Sequence, residues 1–341
     1  MLSCYPTKVY FLLLSIAFSL TGFSQDSQPY TFERPLMGSQ FLFICYANDS
    51  DLASQTAQKA FDRIAELNDI LSDYHPESEI NQLAQKQKPG TPYKVSDDLW
   101  YMLRKAKRIS ENTNGLFDVT IGNCTKLWRR AKRRKEFPEE AALAHALENT
   151  GSTNFELISE TQSVVFDKPE IKLDFGGIAK GFAADEAFKI FEAAGLESTM
   201  IDAGGDIYCG KAPPGKTAWN VKIISGLGND TLYASLNYAA IATSGDLYRF
   251  LELDGKRYSH IINPLTCMPI AERVATTVIS ENAEKADFLA SVANVAGIGK
   301  SIKRIMRNYP KSYVTVFSKN THKIRKKSYG NRQLKKLITR Q

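Results

Sequence analysis

Residues 171 to 181 read IKLDFGGIAKG, and this segment combines groups that could bind a phosphate or a metal ion. Its apolar start predicts a short buried strand, Gly176 and Gly177 predict a tight turn, and Lys180 falls in the first turn of a helix. A helix N-terminus with a lysine attracts phosphate. Asp174 would repel phosphate unless its carboxylate binds hydroxyl groups of the ligand or helps to hold a cation.

The spacing of this segment matches neither standard nucleotide fingerprint. It contains no GxGxxG after a strand and no GxxxxGK[ST], so Rossmann and P-loop folds are disfavoured. Taken alone, the paired glycines could also serve only to let the chain turn. The other polar clusters of the chain must decide between these interpretations.

A second pair of oxygen ligands lies further along the chain. Asp287 and Ser291 are four residues apart in a predicted helix, so they share one face and could bind a hard cation such as Mg²⁺. The alternative is that Asp287 only interacts with the dipole of its helix. No two of the four histidines have metal-ligand spacing, which argues against a zinc site.

Short elements of both kinds are predicted to position these groups. After a linker to about residue 36, the patterns predict a strand to residue 47, a helix at 51–71, a helix capped by Ser96, a loop at 113–123 and a helix opened by Pro138. From residue 155 short β-rich runs dominate, interrupted by helices at 178–194 and about 284–308, with a last strand at 313–318. Because strands and helices do not alternate steadily, we predict an α+β fold with mainly antiparallel sheets and packed helices.

The N-terminus predicts export. Residues 1–24 have a basic start, an apolar run and small residues before Gln25, as in a secretory signal peptide. A retained membrane anchor is the alternative, although the run is short for a bilayer span. We therefore expect an exported, periplasmic protein, with association at the inner membrane as a further option. Export permits disulfides, but the spacing of the five cysteines identifies no pair.

The net charge of +7 is concentrated in two places. Residues 126–135 read KLWRRAKRRK, and the tail from Lys319 carries nine Lys or Arg and no acid. We expect the tail to be solvated and partly disordered, and peripheral contact with acidic lipids is the alternative. The secretion signal argues against a nucleic-acid partner for either cluster.

Polar, glycine-containing clusters recur at the ends of predicted elements. They are MGS at 37–39, SDY at 72–74, GLFD at 115–118, DFGGIAKG at 174–181, DAGGD at 202–206, ATSGD at 242–246 and SHIINP at 259–264. In this order they resemble the ApbE-type flavin transferases, which cleave FAD and attach FMN to a threonine or serine of a target protein. The resemblance runs from Met37 to about Phe317.

The resemblance implies an FAD site. In this family the methionine of the first motif packs on the flavin, and Tyr74 matches the residue that stacks on a ring of FAD. The residues that it assigns to FAD binding are Met37, Tyr74, Leu116, Phe117, Asp118, Asp174, Lys180 and Ile262.

The resemblance also implies a metal and a proton acceptor. Mg²⁺ would be bound by the carbonyl of Gly177 and the side chains of Asp287 and Ser291. His260, or Asp246 of the TSGD motif, would accept the proton of the attacking hydroxyl. Taken alone, His260 could equally be a core residue.

Three positions depart from the family pattern. Asn263 replaces a common Asp, Ser291 replaces the more frequent Thr, and Cys267 stands where Gly is usual. Asn and Ser keep oxygen ligands. Cys267 matters more, because a position that prefers Gly often needs a positive φ or a close approach of the ligand.

Three functions remain open from the sequence. In the first, a target hydroxyl attacks the FMN phosphorus of FAD and AMP leaves. In the second, water replaces that hydroxyl and the protein is an FAD pyrophosphatase. In the third, the protein binds FAD without turnover.

The expected partners of a transferase are FAD and an exported or membrane flavoprotein with a short threonine-containing motif. The expected organisation is a signal peptide (1–24), a flavin transferase domain (25–318) and a basic tail (319–341).

Overall fold

The computed structural model describes residues 27–224, 232–245, 250–319 and 323–340. The predicted signal peptide lies outside these residues. The helices are α1 (Ser50–Leu71), α2 (Glu79–Lys86), α3 (Asp97–Thr113), α4 (Gly122–Arg134), α5 (Glu140–Glu148), α6 (Ala179–Ala193), α7 (Ala283–Ala296), α8 (Lys300–Ile305) and α9 (Arg332–Lys335). Within the described part of the chain, no helix is both long enough and apolar enough to cross a membrane.

The strands are mostly short and concentrate in the second half of the chain. In chain order they are β1 (Gln28–Leu36), β2 (Ser39–Ala47), β3 (Tyr93–Lys94), β4 (Phe155–Ile158), β5 (Ser163–Phe166), β6 (Thr199–Ala203), β7 (Asp206–Cys209), β8 (Trp219–Ile223), β9 (Leu232–Leu236), β10 (Ala239–Gly245), β11 (Phe250–Leu253), β12 (Lys256–Ser259), β13 (Ile262–Asn263), β14 (Met268–Pro269), β15 (Arg273–Ser280), β16 (Tyr313–Lys319), β17 (Ile324–Gly330) and β18 (Ile338–Arg340).

One large antiparallel sheet forms the centre of the molecule. Its strand order is β1-β2-β6-β7-β10-β15-β16-β17. Smaller antiparallel sheets are formed by β3-β5-β4, β8-β9-β18, β11-β12 and β13-β14. The predicted α+β class with mainly antiparallel sheets is therefore confirmed.

The large sheet is covered on both faces, as the alternation along β10 illustrates. Ala240 and Ala242 are buried in the main core with the helices. Ala239 and Ile241 are buried in a second cluster, which includes Trp219 of β8. Because successive side chains of a strand point to opposite faces, one strand contributes to both clusters. The sheet is thus a rigid base for the loops at its edges.

Helices α6 and α7 pack closely against each other on the main-core face. Gly181 is required at their crossing, because a Cβ there would lie 2.3 Å from the carbonyl oxygen of Ala283. The carboxylate of Asp185 on α6 accepts hydrogen bonds from the N–H groups of Ala283 and Glu284 at 2.8 and 2.9 Å. One helix therefore caps the other, which fixes their relative positions.

The predicted linker to residue 36 was wrong, because residues 28–36 form β1. A two-residue turn at Met37 and Gly38 joins β1 to β2, and both residues have positive φ (50° and 68°). Such turns match the twist of paired antiparallel strands. Tyr30, Phe32 and Leu36 alternate with exposed residues along β1, but Pro29 and Pro35 argue against a strand in the sequence. An edge strand tolerates both prolines.

The predicted strand at 171–175 was also wrong. Only Lys172 forms a single bridge, with Ile121, and the neighbouring Asp174 N–H donates to the carbonyl of Val119 at 2.7 Å. The pairing stops there because the paired segment, which ends at Ile121, continues into α4 at Gly122. The predicted helices at 51–71 and 178–194 are confirmed to within one residue at each end. The pair predicted at about 284–308 is confirmed within three residues at its outer ends, with a break at 297–299.

Three helices, α2, α4 and α9, were not predicted. Helix α4 contains the basic run, and only Gly122, Cys124, Trp128 and Ala131 are buried along it. So narrow an apolar stripe among charged residues gives a weak helical pattern.

The expectation of a partly disordered tail was wrong for residues 324–340. Strand β17 pairs with β16 along its length, and β18 pairs with β9. The basic side chains of residues 325–327 on β17 are exposed, as is common on an edge strand. The tail is thus attached to the domain through backbone hydrogen bonds.

A disulfide joins Cys124 of α4 to Cys267, which follows β13 and lies 143 residues further along the chain. Cys267 has a φ of 55°, so the expectation of a positive φ at this position is confirmed. The indole N–H of Trp128 also donates to the carbonyl of Cys267 at 2.7 Å. Cys45 and Cys209 are buried free thiols. The loop after β13 is therefore fixed to α4 by one covalent and one hydrogen bond.

Replacing both linked cysteines (Cys124→Ser with Cys267→Ser) is expected to lower the free energy of unfolding by about 2–4 kcal/mol, because the link limits the unfolded chain. Denaturant unfolding monitored by circular dichroism measures this. A thiol reductant in the denaturant should produce a similar loss in the native sequence and none in the double variant. Equal stability of the two proteins without reductant would contradict the expectation.

Candidate active site

A buried cluster of three charged groups lies where α6 begins. The ammonium of Lys180 forms an ion pair with Asp206, at the start of β7, and lies 3.8 Å from Oδ2 of Asp287. The N–H of Gly181 donates to the same Oδ2 at 3.0 Å, instead of to the carbonyl of Gly177 four residues earlier. The anionic group at this helix terminus is therefore Asp287 itself. The predicted contact of Lys180 with phosphate stays a prediction.

The electrostatics of Asp287 reflect this crowding. Burial raises the pKa of Asp287 to about 7, the charge of Asp206 acts in the same direction, and Lys180 opposes both. A buried carboxylate next to a second one is stabilised by any added positive charge. The surroundings of Asp287 are thus suited to a cation.

The residues predicted to hold Mg²⁺ are close together. Asp287 and Ser291 lie one turn apart on α7. A Cβ on Gly177 would lie 3.1 Å from the hydroxyl oxygen of Ser291, so the glycine turn lies directly against that side chain. A carboxylate, a hydroxyl and a backbone carbonyl are oxygen donors of the kind that Mg²⁺ prefers. The donor set therefore fits the proposed ion.

A second charged cluster surrounds Asp174. Oδ1 of Asp174 accepts the N–H of Gly176 at 2.8 Å, and Oδ2 accepts a hydrogen bond from Arg129 at 3.3 Å. Arg129 on α4 also pairs with Asp73, and its guanidinium lies 4.0 Å from the centre of the Tyr74 ring. Tyr74 itself is 74% exposed, so its ring is accessible to a ligand.

The pKa values in this cluster follow from burial and charge. Burial raises the pKa of Asp73 to about 6, and the charge of Asp174 adds to the rise while Arg129 opposes it. Burial also lowers the pKa of Arg129, but the charges of Asp174 and Asp73 outweigh it and raise that pKa overall. Arg129 is consequently charged, and it balances one of its two carboxylate neighbours.

The GLFD loop packs against the glycine turn. Phe117 is buried, and its ring lies 3.3 Å from the position of a Cβ on Gly177. Leu116 is partly buried against the main core. The carboxylate of Asp118 is buried and accepts hydrogen bonds from Ser110 and Thr120 within its own neighbourhood. Asp118 therefore shapes the loop, and a direct contact with FAD stays a prediction.

The MGS motif at 37–39 lies against the DAGGD loop at 202–206. Met37 lies in the β1–β2 turn and packs partly buried against the core. A Cβ on Gly204 would lie 2.6 Å from the hydroxyl of Ser39. Residues 202–203 pair with β2 and residue 206 pairs with Ala242 of β10. These pairings bring the MGS, DAGGD and TSGD clusters to adjoining strands.

The predicted proton acceptors follow β10 and β12 in the sequence. Asp246 is outside the described residues and directly follows Gly245, the last residue of β10. His260 is exposed between β12 and β13. Ile262, predicted to contact FAD, is buried in a third cluster with Trp128 and Cys267. The loop after β13 also lies against the GLFD segment, since a Cβ on Gly115 would lie 2.9 Å from the side chain of Leu265.

Sequence reasoning missed three side chains of these clusters, Asp73, Arg129 and Asp206. Asp73 and Asp206 belong to the SDY and DAGGD clusters, where no role was assigned to them. Arg129 is three residues after Lys126, which donates to Asn81. Had α4 been predicted, this spacing would have placed both cations on one face.

The chain matches the ApbE family model over residues 37–315. Among curated proteins, it is 31% identical to an FAD:protein FMN transferase of Vibrio cholerae over 287 residues, covering 82% of this chain and 84% of the relative. It is 28% identical to one of Haemophilus influenzae over 323 residues, covering 91% and 92%. A solved structure of flavin transferase ApbE from Vibrio cholerae superposes with a TM-score of 0.79 at 25% identity, covering 91% of this chain and 99% of that one. The described clusters and these matches agree that the chain belongs to the ApbE family.

Proposed function

We propose that the protein is an FAD:protein FMN transferase that uses Mg²⁺. It would attach FMN from FAD to a threonine or serine of an exported or membrane flavoprotein and release AMP. The oxygen donors of Gly177, Asp287 and Ser291 beside Lys180 carry this proposal, because they fit a hard cation within the span that matches the family.

The reaction exchanges one P–O bond of FAD for another. The acceptor hydroxyl oxygen attacks the phosphorus of the FMN half of FAD, and a new P–O bond forms. The P–O bond to the AMP half breaks, and AMP leaves with the bridging oxygen. The hydroxyl proton passes to His260 or Asp246, the two groups proposed as its acceptors.

The metal ligands would be Asp287, Ser291 and the carbonyl of Gly177. A divalent cation there would neutralise the charge that develops on the phosphoryl oxygens. Lys180 and the N–H of Gly181 both contact Oδ2 of the Asp287 carboxylate and so restrain its position. Asp206 in turn holds the ammonium of Lys180.

The FAD contacts that we propose surround this metal position. Tyr74 offers an exposed ring for stacking, and Met37 lies in the turn beside the DAGGD loop. The two faces of an aromatic ring suit both a cation and a stacked base or flavin. Asp174 would accept hydrogen bonds from hydroxyl groups of the dinucleotide.

Export and membrane contact are further parts of this proposal. The signal-like residues 1–24 would direct the protein to the periplasm, where the acceptor flavoprotein would be exposed. The exposed basic residues 325–327 on the edge strand β17 would favour contact with anionic lipid head groups.

The proposed function is tested by intact-mass measurement of an acceptor domain that carries the threonine motif. After incubation with residues 25–341, FAD and Mg²⁺, the domain should gain one FMN, and EDTA should prevent the gain. An acceptor with valine in place of the motif threonine is the control and should remain unmodified. Free FMN and AMP without any gain would indicate hydrolysis instead, and uncleaved bound FAD would indicate a binding protein.

Replacing Asp287 by Asn tests the metal ligand. Asn keeps the size of the side chain and an oxygen that can accept the Gly181 N–H, but it removes the charge. The transfer rate is expected to fall at least about 100-fold, while FAD binding is retained. Intact-mass time courses and equilibrium dialysis with FAD measure the two quantities.

Asp185→Asn is the matched control for this variant. Asp185 is also a buried carboxyl between α6 and α7 whose pKa burial raises to about 7, but it accepts backbone N–H groups of α7. Asp185→Asn should lower stability without slowing transfer by the folded protein. Transfer by Asp287→Asn at the rate of the control would remove Asp287 and its cation from the mechanism.

A further inference from the structure

Arg129 lies between the Tyr74 loop and the glycine turn, and neither the family resemblance nor the proposed chemistry gives it a role. We propose that Arg129 is a positioning residue for FAD: it supports the ring of Tyr74 and neutralises the carboxylates beside it, so that an anionic dinucleotide can bind. This inference rests on the proposed function, since it names FAD as the ligand.

The contacts of Arg129 are divided between three side chains. Its Nη1 pairs with Asp73, its Nη2 lies 3.3 Å from Oδ2 of Asp174, and its guanidinium carbon is 4.0 Å from the Tyr74 ring centre. The two carboxylate side chains are 7% exposed, and that of Arg129 is 28% exposed. A planar guanidinium makes these two hydrogen bonds from separate nitrogens while its face lies on a ring, whereas an ammonium has all its donors on one nitrogen.

The charge balance explains why an anionic ligand needs this residue. Asp73 and Asp174 are two carboxylates paired with the arginine that faces the ring on which FAD is proposed to stack. With Arg129 the three groups carry a net charge of −1, and without it they would carry −2. The pyrophosphate of FAD is itself negative, so each extra charge in a poorly hydrated site would weaken its binding.

The orientation of Tyr74 is the second part of the inference. Tyr74 is largely exposed, and an exposed ring gains little from packing. A cation at 4.0 Å over its face restricts the positions that the ring can adopt. A stacking partner held in place before the ligand arrives loses less conformational entropy on binding.

A purely structural role is the competing explanation. Arg129 joins α4 to the segments that carry Asp73 and Asp174, so its loss could simply loosen the fold. The two explanations differ in kinetics. A positioning residue for FAD should change the Kd and KM for FAD and leave kcat nearly unchanged.

The test compares Arg129→Met, Arg129→Lys and Arg130→Met. Arg130 is the next residue of the same helix and is exposed, so it controls for the loss of one positive charge. Equilibrium dialysis with FAD in EDTA gives the Kd without turnover. Transfer to the acceptor domain with Mg²⁺ gives the KM for FAD and kcat, and thermal unfolding reports stability.

We expect Arg129→Met to raise the Kd and KM for FAD at least about tenfold, with kcat within about threefold. Arg129→Lys keeps the positive charge but not the planar guanidinium, so its Kd and KM for FAD should lie between those of Arg129→Met and the native sequence. Arg130→Met should stay within about twofold of the native sequence. An Arg129→Met protein whose FAD affinity is also within about twofold of native would overturn the proposal.

A double variant keeps the test valid if Arg129→Met does not fold. Asp73→Asn combined with Arg129→Met retains the net charge of −1 and removes one uncompensated buried carboxylate. It should fold and recover part of the FAD affinity, because only the support of Tyr74 remains lost. Full recovery would overturn the role assigned to the Tyr74 contact. If the native protein itself neither binds FAD nor modifies the acceptor, the proposed function fails instead.

Discussion

The close approach of α6 and α7 at Gly181 is the constraint on which the site depends. The absence of a side chain at Gly181 lets Asp287 accept its N–H and lets Lys180 lie between Asp287 and Asp206. The same approach brings the glycine turn of α6 against Ser291 of α7. Added volume at this crossing would have to be absorbed by the two backbones, because close-packed interiors have little free space. The helix packing and the proposed metal site are therefore one arrangement.

Helix α4 is the second element on which the site depends. It carries Cys124 and Trp128, which hold the loop after β13, and Arg129, which holds the Tyr74 loop and Asp174. Two loops from distant parts of the sequence are thus tied to one short helix. A rigid helix is a good platform for such loops, since positions on it are more precise than positions on the loops themselves. Cys267 of the disulfide has a positive φ, which is the backbone conformation that we expected at this position.

The sequence predicted what depends on local pattern. The 3.6-residue spacing of apolar residues located α1 and α3, and the turn residues located the polar clusters. It missed β17, because the exposed basic residues of that edge strand do not show the two-residue alternation. It missed β1 although Tyr30, Phe32 and Leu36 alternate with exposed residues, because Pro29 and Pro35 argue against a strand. It also could not pair Cys124 with Cys267, since residues 143 apart meet only through the tertiary fold. The roles of Asp73 and Arg129 were missed for the same reason, because their charges matter only beside Asp174.

The central claim is that a divalent cation binds between the glycine turn and α7 while FAD is present. The most direct measurement is an anomalous difference map at the manganese absorption edge, from crystals of the protein grown with FAD and Mn²⁺. We predict one strong peak within coordination distance of the Gly177 carbonyl and the side chains of Asp287 and Ser291, next to the FAD pyrophosphate. Bound FAD with no peak at this position, or with the metal held by other residues, would contradict the account.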